Sequence, residues 1–395
     1  MKLAVVGGKL QGTETCYLAQ QAGWEVLLID KAPSVPARGL CDAFGCHDVV
    51  KEAKEVGQII GHADLVIPAL EDAVALQSLS DTCSRRGIPL AFHPEAYAIT
   101  SSKRESDDLF RRLSLPAPRP RWGADCGLPV IVKPVGSSGS RGVMKIADQE
   151  HLTFFCEKNR ANGQNWIVQE FLEGPSYSLE VIGLEGQGVA LQTTGLEMDA
   201  FYDCKRVVAP VDLPGPLDRA LRAMAKTLVQ ALNLQGIMDL EVVHHGGELK
   251  ILEIDARLPS QTPTAVERST GVNILELLVD VFLNRKLPTV QLTRQRGVIY
   301  EHIRVGRHRL EVSGEHIMAG AGSLHREDGF FGVDTALTNF SSPDRPWVAT
   351  LIVVGPDRGT AWEKRCGAVR TIMEACGISH YIDPDPNDPS NAKEG

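Results

Sequence analysis

The sequence predicts an α/β protein in three units. These are an N-terminal Rossmann-like parallel sheet, a small α+β lid, and a large C-terminal antiparallel sheet with helices. Three observations predict this. Strand-like and helix-like segments alternate over residues 1–95, the order of a doubly wound sheet. A proline-rich break, LPAPRPRWG (115–123), is followed by a strand, a Gly/Ser loop and a second strand, which marks a boundary and a new unit. Beyond residue 178 the strands read as antiparallel neighbours, among them a ribbon carrying four carboxylates.

LAVVGG opens the first unit as a buried strand. The turn Gly7-Gly8-Lys9-Leu10-Gln11-Gly12 leads into a helix that Gly23 ends, and WEVLLID is the second strand, closing at Asp30. ADLVIPA (63–69) reads as another strand, DAVALQSLSDTCSRRG as its covering helix and IPLAF as a short further strand. The first turn is not a dinucleotide fingerprint. Lys9 takes the place of the middle glycine, and its side chain would block a pyrophosphate. The turn instead suits a substrate: Lys9, Gln11 and Glu71 would line the crevice at the carboxyl ends of the strands. Glu71 can equally be read as starting a helix, where a carboxylate is favoured.

Residues 96–120 read as a linker whose helix (96–115) carries Lys103. The lid (121–177) begins with LPVIVKPV, bearing Lys133 inside an apolar strand, where an ammonium needs an anion. Ser137, Ser138 and Gly139 belong to the loop Gly136–Gly142, whose small residues let amides fold over phosphate oxygens. The strand VMKI, a helix (148–160) and WIVQEFLEG follow. The edge from Gln169 to Leu172 offers backbone groups to an adenine.

The C-terminal unit (178–382) opens with strands SLEVIG and VALQTTGLEM and a helix over 217–232. GIMDLEVVHHGGELKILEIDARLPSQTPT then reads as two strands about the turn His244-His245-Gly246-Gly247, which is hairpin chemistry. Asp239 and Glu241 are two apart, as are Glu253 and Asp255, so each pair shares a face. Opposed, four carboxylates repel unless a cation sits among them. Hard oxygen ligands of this kind suit Mg²⁺ carrying nucleotide phosphates. Arg257 continues the same face and would hold an anionic reacting group. A loop (Gln261–Thr264), a helix (273–284), further strands and a helix near 358–376 complete the unit. Residues 383–395, poor in apolar side chains, read as a disordered tail.

The 395 residues carry a net charge of −9, which disfavours nucleic acid as a partner. No apolar run approaches the ~20 residues that span a bilayer. The N-terminus lacks a signal peptide's features, so the expected location is the cytoplasm. The nine cysteines show no C-x-x-C. Cys41, Cys46 and His47 lack a second ligand pair and read as structural rather than zinc-binding.

Together the linker lysine, the lysine before the Gly/Ser loop, the E-F-L-E-G segment and the D-x-E … E-x-D-x-R ribbon resemble the ATP-grasp superfamily. Its three units close on ATP and two Mg²⁺. Asp255 stands where most members have asparagine, and remains an oxygen ligand. GGKLQG, GIMDLEV, LEIDARLPSQTPTAV and YEH (300–302) resemble more narrowly the amino-acid ligases of pyrrolysine biosynthesis. The likeness covers residues 1–355, with LEIDARLPSQTPTAV its most specific piece.

The resemblance implies that ATP phosphorylates the carboxylate of 3-methyl-D-ornithine, and that the ε-amine of L-lysine attacks the acyl phosphate. Lys103, Lys133, Mg²⁺ on Asp239, Glu241, Glu253 and Asp255, and Arg257 would neutralise charge. Ser178, Glu180, Tyr202, Asp203, Arg257, Ser260, Gln261 and Thr262 would hold the ornithine part. Lys9, Leu10 and Glu71 would hold the lysine, and Glu71 or another crevice carboxylate would assist loss of its proton. Glu170, Phe171, Leu172 and Asp30 are nucleotide candidates. A homodimer is implied as well. Two other readings fit the same residues: an ATP-grasp ligase joining different amino acids, and a non-catalytic nucleotide or amino-acid sensor.

Overall fold

The computed structural model describes residues 1–121, 127–136, 139–140, 142–160, 166–292 and 295–386. The N-terminal sheet is parallel, built from β1 (Lys2–Val6), β2 (Glu25–Asp30), β3 (Ala43–Cys46) and β4 (Leu65–Pro68) in the order β3-β2-β1-β4. Helices cover both faces, which is why β1, β2 and β4 carry unbroken buried apolar runs, residues 3–6, 26–29 and 65–68. Leu3 and Val5 pack with Tyr17 and Leu18 of α1 (Leu10–Gln21). Ala4 and Val6 face the other way, toward Val56 and Ile60 of α2 (Ala53–Ile60) and Leu79 of α3 (Ala73–Arg86). Helix α1 lies so close to its strand that a Cβ on Gly12 would fall 2.1 Å from the Gly7 carbonyl oxygen. The expected strand over IPLAF is only a bridge between Val66 and Leu90, because Pro89 has no N–H for a ladder.

The linker forms two helices rather than one, α4 (Pro94–Thr100) and α5 (Lys103–Arg112). The Ser102 hydroxyl accepts from Glu105 N–H (3.4 Å) and restarts the chain as a new helix, with Lys103 at its first position. In the lid, β5 (Val130–Pro134), β6 (Met144–Ile146) and β7 (Trp166–Glu170) pair antiparallel in the order β6-β5-β7, covered by α6 (Gln149–Arg160). Its core is small and its own: Val130, Val132, Ile146, Leu152 and Val168.

The third sheet contains β8 (Ser176–Leu184), β9 (Gln187–Met198), β10 (Cys204–Ala209), β11 (Gly236–His245), β12 (Glu248–Asp255), β13 (Gly297–Val305), β14 (Arg309–Val312), β15 (His325–Asp328), β16 (Thr335–Thr338), β17 (Trp347–Gly355) and β18 (His380–Ile382). Its main path runs β12-β11-β8-β9-β10-β13-β17-β16-β15, with β14 on β13 and β18 on β14. Helix α7 (Gly215–Ala231) buries Leu221, Met224, Ala225, Leu228 and Val229, the stripe of an amphipathic helix. Helices α8 (Thr262–Thr270), α9 (Ile274–Phe282), α10 (His316–Ala319) and α11 (Arg358–Ala375) complete the unit. The predicted loop Gln261–Thr264 is therefore the start of α8. Pro263 lies in the helix's first turn, where no N–H partner is needed.

The first and third units share one core, in which Tyr17, Leu18 and Leu28 meet Ala265, Val266, Ile274 and Leu278. Buried Glu14 of α1 accepts from Thr264 N–H (2.6 Å), and Asn273 Nδ2 donates to the Leu18 carbonyl (2.8 Å). The tail expectation is corrected at its start. Asp383 binds Lys205 (2.7 Å) and Arg206 (2.7 Å), and Lys205 Nζ also donates to the Pro384 carbonyl (2.5 Å). Two buried cations need these anions. Residues 387–395 lie outside the described residues. Among the described residues no helix is long and apolar enough to cross a membrane.

Candidate active site

The ribbon β11–β12 sets the site. Its register places Asp239 opposite Asp255 and Glu241 opposite Glu253, so the two sequence pairs form one acidic patch. β8 adds Glu180 opposite Asp239 and Ser178 opposite Glu241. Burial pushes the Asp239 carboxyl up to about 6 and Asp255 up to about 7, and Glu241 is raised well above the usual carboxylate range. Asp255 Oδ1 is buried with no hydrogen-bond partner, as are both oxygens of Glu180. Such a patch fits hard divalent cations, which supply the missing positive charge.

Cations already reach the patch from three directions. Lys103 Nζ lies 3.2 Å from Glu253 Oε1. Lys133 is buried nearby, and its ammonium pKa falls through burial despite Glu253, Asp107 and Glu241. Arg257 bridges Asp255 and Glu71, at 2.8 Å to each. Glu71 also accepts from Gln11 Nε2 (2.8 Å). It precedes the helix cap Asp72, so its carboxylate serves the crevice rather than the α3 N-terminus.

Three adjoining cavities meet here. A first, of about 190 Å³, is lined by Lys103, Lys133, Phe171, Leu172, Glu241 and Glu253. A central one of about 130 Å³ carries Asp239, Asp255, Arg257, Tyr202, Gln261 and Thr262. It shares Tyr202, Glu241 and Glu253 with the first. An outer cavity of about 750 Å³ holds Lys9, Leu10, Gln11 and Glu71. It shares Asp203, Arg257, Ser260 and Glu315 with the central one. A path therefore runs from the lid, past the acidic patch, to the N-terminal crevice.

Several predicted contacts sit differently. Ser178 and Glu180 are fully buried and line none of these cavities. The Ser178 hydroxyl donates to Asp239, and burial lifts the Glu180 carboxyl to about 8. They underlie the patch because β8 is its inner neighbour. The Glu170 carboxylate is turned toward Lys250 (2.6 Å) and the Arg119 N–H (3.1 Å), which leaves Phe171 and Leu172 as the clearer cavity wall. Asp30 lines the outer cavity, away from Lys133. Its oxygens accept from Gly8 N–H (2.7 Å) and Ala32 N–H (2.8 Å) and so shape the first turn. Gly139 reaches all three cavities, whereas Ser137 and Ser138 lie outside the described residues.

The resemblance pointed to Tyr202 and Asp203, while sequence reading missed Asp199 and the 314–316 segment, which carry no motif. Tyr202 has φ +63, a conformation costly for a bulky residue. The Asp199 carboxylate holds that turn by accepting from Phe201 N–H and Asp203 N–H. The Tyr202 carbonyl accepts from the lid residue Ser140 (2.7 Å). Glu315 accepts from the Ser260 hydroxyl (2.5 Å) and Gln261 Nε2 (3.0 Å).

The ATP-grasp domain family matches residues 100–261. The fold agrees with that of Campylobacter jejuni biotin carboxylase in complex with a nucleotide, with a TM-score of 0.72. That match covers 95% of this chain and 94% of that one at 15% identity. The class is thus an ATP-grasp ligase. The chain is also 34% identical over 378 residues to the 3-methyl-D-ornithine--L-lysine ligase of Methanosarcina acetivorans, covering 95% of this chain and 99% of that protein. To the enzyme of the same name from Methanosarcina barkeri it is 32% identical over 376 residues, covering 95% and 98%. The chain belongs to the family of these 3-methyl-D-ornithine--L-lysine ligases.

Proposed function

We propose that this chain uses ATP to join the carboxylate of 3-methyl-D-ornithine, or of D-ornithine, to the ε-amine of L-lysine through an acyl phosphate. The products are the amide, ADP and phosphate. The observation that carries the proposal is the continuous path of three cavities past the acidic patch, in the order such a reaction needs: nucleotide, acyl group, amine.

ATP would enter the cavity beneath the lid, with Phe171 and Leu172 beside its base and Lys103 and Lys133 on its phosphates. A buried ammonium with a depressed pKa gains most from an anion placed against it. Asp239, Glu241, Glu253 and Asp255 would hold the metal, and two ions match four carboxylates better than one. Bound Mg²⁺ supplies Lewis-acid neutralisation of phosphate charge. Arg257 would orient the ornithine carboxylate and stabilise charge on the phosphoryl group in flight. Tyr202, Asp203, Ser260, Gln261 and Thr262 would form the wall around the ornithine. Lys9, Leu10 and Glu71 would hold the lysine in the outer cavity, Glu71 being already fixed by Arg257 and Gln11. Lid closure through Ser140 would keep water from the acyl phosphate. A homodimer, and a cytoplasmic setting where these substrates occur, belong to the same proposal.

The test is the mass of the product formed from ATP, Mg²⁺, L-lysine and D-ornithine, with ADP release followed in parallel. We expect ornithyl-N6-lysine together with ADP. Release of ADP only with a different amino-acid pair would reassign the substrates, and nucleotide binding with no turnover on any pair would favour a sensor.

A further inference from the structure

We infer that His316, held by Asp203, is the group that takes the proton from the attacking lysine ammonium. The inference rests on the ligase reading above and supplies the base which that reading leaves open.

His316 lines the outer cavity, next to Asp203, Ser260 and Glu315, residues which that cavity shares with the central one. An amine held in the outer cavity must cross this junction to reach an acyl phosphate beside the acidic patch. The ring is also built in. Asp203 Oδ2 accepts from His316 Nδ1 (2.6 Å) and from the His316 backbone N–H (3.1 Å). Gly314 makes this possible, since a Cβ there would fall 2.3 Å from the Asp203 carboxylate. With Nδ1 keeping its proton and donating it in the hydrogen bond to Asp203, Nε2 carries the lone pair. Half of the side chain is exposed, 52% against 8% for Asp203, so Nε2 can both meet the amine and pass its proton to solvent.

The surroundings favour charging the ring. Asp203 and Asp199 face it from the β9–β10 turn, Arg304 opposes them from β13, and burial opposes them too. The hydrogen bond to Asp203 dominates, and the His316 pKa rises. His302 on β13 faces it as a neutral ring, its own pKa pushed down to about 4 by burial. Raising its pKa makes the ring a stronger base toward the ammonium. The rival carboxylates are engaged: Glu71 with Arg257 and Gln11, Glu315 with Ser260 and Gln261. The carboxylates of the Asp199–Asp203–His316 cluster are already taken up by Phe201, Asp203, Gly314 and His316 N–H groups, which leaves them poorly placed to ligate a metal.

The step balances. One ammonium proton passes to His316 Nε2 and on to solvent. The freed nitrogen lone pair forms the C–N bond, and the C–O bond to phosphate breaks with its electron pair on oxygen. The second nitrogen proton ends on the departing phosphate.

The experiment compares wild type, His316→Gln and Asp203→Asn in two assays, with lysine and with hydroxylamine as acceptor. Hydroxylamine is neutral at pH 7 and traps the acyl phosphate without a base. We expect His316→Gln to lose amide formation about 100-fold or more at pH 7, and to keep hydroxamate formation within about threefold. The deficit should shrink as pH approaches the free amine's value of about 10.4. Asp203→Asn, which also alters the wall around the ornithine, should slow both assays, with a further loss in amide formation that high pH relieves. The proposal is overturned by amide formation in His316→Gln within about threefold of wild type at pH 7, by equal losses in both assays, or by a deficit that high pH does not relieve. A wild type that makes no amide from D-ornithine and lysine overturns the substrate reading, and this role with it.

Discussion

At the scale of single residues the site is a balance between desolvated carboxylates and a few cations. Glu253 shows it most directly. It faces Glu241 across the ribbon and holds Lys103 at 3.2 Å, yet its side chain keeps 37% of its exposure, so it can be removed without opening the core. Glu253→Ala should therefore lower turnover by about 10³-fold or more while the melting temperature stays near that of wild type. Rates of ADP release alongside a thermal melt check this, and unchanged turnover would reject the metal role. The acidic residues and Arg257 were legible in sequence because period-two spacing survives folding. The pairing of Asp203 with His316 was not, because 113 residues separate the partners and His316 belongs to no motif.

At the scale of elements, the lid depends on one turn. Gly174 joins β7 to β8 with φ +147, and a Cβ there would fall 1.9 Å from the His244 carbonyl oxygen. The β11–β12 ribbon and the lid exit therefore touch backbone to backbone. Gly174→Ala should displace the lid from the ribbon at a cost of about 1–3 kcal/mol in local strain. Calorimetry should show weaker ATP binding, while hydroxamate chemistry at saturating ATP survives in part. ATP affinity equal to wild type would mean that the turn does not set the lid. The lid's separate core explains why it can respond alone. Sequence patterning found its strands and helix, since each buries its own apolar face. It did not find the break between α4 and α5, where a side-chain cap outweighs helical continuity.

At the scale of the whole molecule, the first and third units are joined through buried Glu14. Burial raises its carboxyl to about 8, although Thr264 and Tyr300 pull the other way. Unfolded, the group titrates near the ordinary 4.5, so between these values the folded chain binds the extra proton. This contribution is complete below about pH 4.5 and is lost as pH rises toward 8, on the order of a few kcal/mol. Glu14→Gln keeps an acceptor for the Thr264 N–H and removes the titration. Its melting temperature should fall less than wild type's between pH 5 and 8, and parallel pH profiles would show that Glu14 does not carry the effect. Asp383 works in the opposite sense. Lys205 and Arg206 hold it near 2 despite burial, so its contribution persists until strongly acid pH.

The chain by itself determined the alternation of the first unit, the lid's three strands and helix, the acidic ribbon and its shared face, the lysines at 103 and 133, and Arg257. Each of these follows from local periodicity or from a turn whose chemistry sits within a few residues. Tertiary structure alone decided which carboxylates face a cavity and which, like Ser178 and Glu180, lie beneath it. It alone turned Asp30 to its own loop and Glu170 to Lys250, anchored Asp383, and set His316 against Asp203. Those outcomes depend on contacts between distant strands, and burial sets whether a charge there is exposed, paired or protonated.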